Sequence, residues 1–81
     1  MDEKEFISDV LKVTDKFVDA INEIRKDSDA NAWALIPYYK YKLNTLANMI
    51  YTMYVFQLIT EETYNTIYEY VTEKINALAT R

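Results

Sequence analysis

The polar side chains that could do chemistry in this chain of 81 residues fall into a few groups, and each is incomplete for the reaction it suggests. Asp27, Asp29 and Asn31 match the first, third and fifth positions of a calcium-binding loop between helices. The sixth position would be Ala32 where the sharp turn wants glycine, and the twelfth would be Tyr38 where a bidentate Glu closes the site. The triplet therefore reads as a turn that caps a helix. Asp15 with Asp19, and Glu69 with Glu73, are carboxylate pairs at helical spacing that could share acid and base roles if one member were buried. Both pairs fall on polar faces, where paired carboxylates are ordinary surface features.

The missing residue types exclude more. With no histidine and no cysteine there is no imidazole base, no Ser-His or Cys-His pair and no thiolate or imidazole metal ligand. With no glycine there is no Gly-rich loop to wrap backbone amides around a phosphate. A helical mutase acting on an anionic diacid would need several cations in its cavity, and the arginines are Arg25 and Arg81 alone. Arg25, near the end of the first helix, reads as a cap on helix carbonyls rather than a ligand. The expectation is a protein with no cofactor, no metal and no catalytic residues.

Aromatic and basic residues interleave at Tyr38, Tyr39, Lys40, Tyr41 and Lys42, the combination that single-stranded nucleic-acid platforms use for stacking and phosphate contact. On a helix these side chains diverge, and two lysines supply little phosphate affinity on a chain of net charge −4. Nucleic-acid binding is thus the alternative reading. The acids sit at the two ends: residues 1–29 hold nine acids and five bases, residues 30–60 hold two lysines and no acid, and residues 61–81 hold four acids and two bases. Solvated outer helices around a nearly uncharged central one give this pattern.

Those elements are legible from hydrophobic spacing. A 51% hydrophobic composition without glycine points to an all-α fold of one domain, residues 1–81. The first helix is predicted over about 2–26, capped by Asp2 with Glu5 reaching back, and carries two stripes: Phe6, Val10, Val13, Phe17, Ala20, Ile24 and, beside it, Ile7, Leu11, Thr14, Val18, Ile21. Ser28 or Asp29 caps the second, predicted over 29–59, because Ala32, Ile36, Tyr39, Leu43, Leu46, Ile50, Met53 and Gln57 keep four-three spacing across Pro37. That continuity predicts one long helix kinked at Pro37, with a break at Ile36-Pro37 as the alternative. Thr60 caps the third, over 60–80, whose core side is Tyr64, Ile67, Tyr68, Val71, Ile75 and Leu78. Short connections make the three an up-down-up bundle.

The central helix carries more apolar surface than two neighbours can cover: its apolar arc is about 220° wide against about 100° for the third helix. Tyr38, Met49 and Phe56 lie on one flank with Lys42, Thr45 and Thr52; Trp33, Tyr51 and Leu58 lie on the other. The excess predicts a homodimer or larger bundle joined through Tyr38, Thr45, Met49, Thr52 and Phe56, the threonines permitting close approach. Trp33, Lys40, Tyr41, Lys42 and Tyr51 are candidates for contact with another partner. Eight tyrosines, all between residues 38 and 70, exceed what a small core can bury with each hydroxyl satisfied, which favours an interaction or assembly protein. Leu43 to Thr60 approaches the length of a bilayer span without a formal charge, but Asn44, Asn48, Gln57 and three threonines interrupt it, so no membrane role is expected. A charged, non-apolar start and the lack of cysteine predict a cytoplasmic protein. Abundant Ile, Asn, Lys and Tyr beside few arginines suggest an AT-rich gene, which fits a virus or mobile element and so a virion or infected cell.

Overall fold

A computed structural model describes residues 2–27 and 29–79. Four helices follow in order: α1 (Glu3–Arg25), α2 (Ala30–Trp33), α3 (Ile36–Val55) and α4 (Glu61–Ala79). The three long ones each pack against both others in a bundle 44 × 20 × 18 Å. Interhelical bonds give the directions. Glu3 meets Thr60, Asp15 meets Tyr70 and Arg25 meets Leu78, so α1 and α4 run side by side in parallel. Ile36 and Leu43 share a cluster with Ile21 and Leu78, whereas Ile50 shares one with Val10 and Ile67, so α3 runs against both.

The core is two stacked clusters. One gathers Val10, Ala47, Ile50, Ile59, Ile67 and Val71; the other gathers Ile21, Ile36, Leu43 and Leu78, and Ile75 packs against both. Burying each such side chain contributes about 1.5–3 kcal/mol. The stripe predicted for α4 lies inward as expected. The two stripes of α1 merge into one band centred on Val10, Thr14 and Ile21, which leaves Val13 40% exposed. Thr14 enters this band without an orphaned hydroxyl, because its Oγ1 donates to the Val10 carbonyl at 2.8 Å.

Asp2 caps α1 as expected, accepting from the amides of Lys4 and Glu5. Asp29 caps α2, accepting from Asn31 N at 2.9 Å, and the alternative cap Ser28 lies outside the described residues. The second helix differs from expectation at both ends. α2 and α3 form a bent, joined segment, and the bend falls at Ala34 and Leu35, ahead of Pro37 and not at it. A proline inside a helix has no N–H to donate and presses on the carbonyl four residues back, here that of Trp33. Ending α2 at Trp33 and restarting at Ile36 moves Pro37 into a first turn, where neither penalty applies.

At the other end α3 stops at Val55 instead of continuing to residue 59. Gln57 takes φ 61°, its amide bonds the Tyr54 carbonyl at 2.9 Å, and the Leu58 amide bonds the Met53 carbonyl at 2.9 Å. That pair of bonds is a Schellman closure, with glutamine at the position glycine usually takes. It reverses the chain within a few residues and turns Ile59 into the core. Thr60 then caps α4, its hydroxyl accepting from Thr63 N at 3.2 Å.

Candidate functional site

Helix geometry brings Tyr38, Thr45, Met49, Thr52 and Phe56 together. At about 100° per residue they fall within an arc of about 60°, over an axial length of about 27 Å. All five are exposed, on the side of α3 away from Leu43, Ala47 and Ile50. Tyr38 is 53% exposed, Met49 44% and Phe56, the C-cap, 70%. Sequence reasoning placed these residues on a flank of the core stripe; the packed structure places them opposite it. Tyr41, 67% exposed, and Val55, 53% exposed, extend the strip along one edge.

Acidic side chains are absent from this face, and its one cation is Lys42 at the edge. Among the described residues, nine of the ten exposed large hydrophobic side chains lie between Trp33 and Leu58, so the apolar surface is concentrated on α3 and its ends. No residue exposed between Pro37 and Leu58 is charged. The solvent side of a surface helix is ordinarily its most charged part. Lys42 is half-buried, with its ammonium 5.2 Å from the centre of the Tyr38 ring, a cation–π contact that spreads the lysine stem beside the strip.

The remaining partner candidates are dispersed. Trp33 belongs to α2, where its indole Nε1 donates to the Asp27 carbonyl at 2.7 Å and pins the turn after α1. Tyr51 stands toward the other end of α3 in a ring cluster across the α3–α4 seam: Tyr54 stacks on Tyr64 at 4.6 Å, with Tyr51 and Tyr68 tilted against Tyr64 at 6.1 and 5.1 Å. Withdrawal from water and the neighbouring phenols push the Tyr64 hydroxyl above its ordinary value. The aromatic-basic run also splits. Tyr39 turns inward against Phe17 at 6.0 Å, Lys40 lines a cavity beside Arg25, and Tyr38 and Tyr41 remain outside.

Asp15, Asp27 and Asp29 each accept a hydrogen bond within the fold. Asp27 accepts from Asp29 N at 2.9 Å, so two members of the calcium-like triplet hold backbone amides. Asp15, expected on a solvated face, is half-buried and accepts the Tyr70 hydroxyl at 2.6 Å. That bond, burial and the charges of Asp15 and Asp19 raise the Tyr70 phenol. Arg25 does cap a carbonyl, but that of Leu78 in the last turn of α4, at 2.8 Å. Among the described residues no group of three acids, histidines or cysteines could hold a metal ion, and no helix is long and apolar enough to cross a membrane. Arg81 lies outside the described residues.

Compared with protein families, with characterised proteins and with solved structures, the chain matches none.

Proposed function

We propose that this protein is a non-enzymatic interaction or assembly subunit that self-associates through the solvent face of α3. The observation that carries this reading is the uncharged, apolar strip Tyr38, Thr45, Met49, Thr52 and Phe56 on a chain whose other helices expose ordinary charged faces. A contiguous apolar surface of this kind is unusual on a monomer and typical of interfaces.

The strip is also self-complementary. Tyr38 and Phe56 are equidistant in sequence from Ala47, and so are Thr45 and Met49. Two copies crossing antiparallel about a two-fold axis near Ala47 set Tyr38 of one opposite Phe56 of the other, and Met49 over the small Thr45. Such an arrangement satisfies the requirement that a two-fold interface pair each residue reciprocally. Aromatic pairs of this sort add about 0.5–1.5 kcal/mol beyond their area. The dimer is a larger helical bundle, suited to a structural subunit, an adaptor or an inhibitor, and the composition fits a virus or mobile element acting in the host cytoplasm or in a virion.

The absence of cysteine makes the geometry directly testable. In the antiparallel dimer, Tyr38→Cys combined with Phe56→Cys gives a covalent dimer under mild oxidation. Either single variant gives little, because like positions lie up to about 27 Å apart along the axes. Equal cross-linking by a single variant, or none by the pair, contradicts the arrangement. Retardation of single-stranded DNA or RNA at low salt would favour the nucleic-acid alternative.

A further inference from the structure

At the end of the bundle away from the Glu3–Thr60 contact, the last turn of α1, the short α2 and the first two turns of α3 border a solvent-open cavity of about 390 Å³. It is lined by Arg25, Trp33, Ile36, Pro37 and Lys40. Two of these five are cations and none is an acid, on a chain of net charge −4. Arg25 is half-buried, and while its Nη2 bonds the Leu78 carbonyl, its Nη1 is buried without any acceptor. The one ion pair among the described residues joins Lys26 to Glu23, so neither Arg25 nor Lys40 is neutralised by a carboxylate. The acids of the adjoining turn, Asp27 and Asp29, are held by backbone amides.

A buried guanidinium nitrogen with an unused donor is costly until an acceptor reaches it. The fold retains that cost beside a cavity large enough for a small ligand. We infer that this cavity binds a small organic anion, whose carboxylate or phosphate head lies between Arg25 and Lys40 and whose flat apolar body lies against Trp33, Pro37 and Ile36. The indole's bond to the Asp27 carbonyl, which pins the turn after α1, also holds the ring as a wall of the cavity. Lys40 also lines a second cavity of about 80 Å³ with Leu43, Ile75 and Leu78, so it stands between the two. The site is separate from the exposed strip on α3 and does not depend on self-association.

Trp33 is the single tryptophan, so its fluorescence reports on the cavity without a label. Excited at its red edge and titrated at low salt with phenyl phosphate, the full chain gives a saturable change complete by about 10 mM, weakened by added salt. Phenol, which has the ring without the anion, and inorganic phosphate, which has the anion without the ring, each bind at least about tenfold more weakly. Benzoate in place of phenyl phosphate separates a carboxylate from a phosphate preference. Lys40→Gln, which leaves the Arg25–Leu78 bond in place, weakens phenyl phosphate about tenfold while the circular dichroism spectrum is unchanged. Arg25→Lys weakens it too, with amide shifts at Ile36 and Trp33 lost from the NMR titration. No saturable change, equal binding of phenol, or full affinity in a folded Lys40→Gln variant overturns the inference.

Discussion

Glu3 shows how a single side chain closes this fold. Its carboxylate accepts from both the amide and the hydroxyl of Thr60, at 3.0 and 3.1 Å, and ties the start of α1 to the turn that begins α4. The bond from the Thr60 amide, then the Thr63 hydroxyl, hold the Glu3 acid below its ordinary range. A folded-state value below the unfolded one means that the contribution to stability is complete above the unfolded value, near pH 4, and is lost as pH falls through the folded value. Glu3→Gln therefore lowers the melting temperature at pH 7, and the gap to the wild type narrows below about pH 4 and closes in stronger acid. Thermal melts of both proteins between pH 7 and pH 2 check this; a gap independent of pH contradicts it. The capping-box pattern pointed to Glu5, because spacing along one helix reveals local partners, and Thr60 is 57 residues away from Glu3.

At the scale of elements, hydrophobic periodicity made the inward face of each long helix legible, since burial of one side is what a bundle demands. The ends were harder to read. Ala32 lies in phase with Ile36 and Tyr39 by coincidence, so spacing alone carried one helix through a bend that Pro37 requires. The exit from α3 was hidden for a different reason: the usual signal is a glycine in the left-handed region, and Gln57 takes that conformation without one. The candidate strip was legible because its residues lie within α3 or, for Phe56, at its C-cap, all downstream of the bend. The second flank was not, because Trp33 sits in α2 beyond the bend and Leu58 in the turn that follows α3. The cavity beside Arg25 needs three elements to meet and leaves no mark in spacing. Pro37 in a first turn is pre-set for the helix, so Pro37→Ala lowers stability by about 0.5–1 kcal/mol in urea unfolding. An equal gain would instead indicate that the proline strains a continuous helix.

On the scale of the whole molecule, one feature of charge and one of shape coincide. The acids lie on α1, α4 and the first turn, while α3 presents a side with neither acid nor exposed base, so the surface most apolar is also the one least repelled by a copy of itself. A core of this size supplies only about 3–5 kcal/mol by itself, so burial of Tyr38, Met49 and Phe56 against a second copy, as proposed, would add materially to stability. The proposed two-fold pairing would place the midpoint of α3 at the centre of the assembly and leave the Arg25 cavity open at its periphery. The direct test is the mass in solution, by light scattering coupled to size exclusion at micromolar to submillimolar concentration, for the wild type and for Met49→Glu with Phe56→Glu. The wild type is expected at twice the protomer mass of 9.6 kDa, and the double variant, still helical, at 9.6 kDa; a wild type at 9.6 kDa across that range, or a double variant with an unchanged doubled mass, contradicts the account.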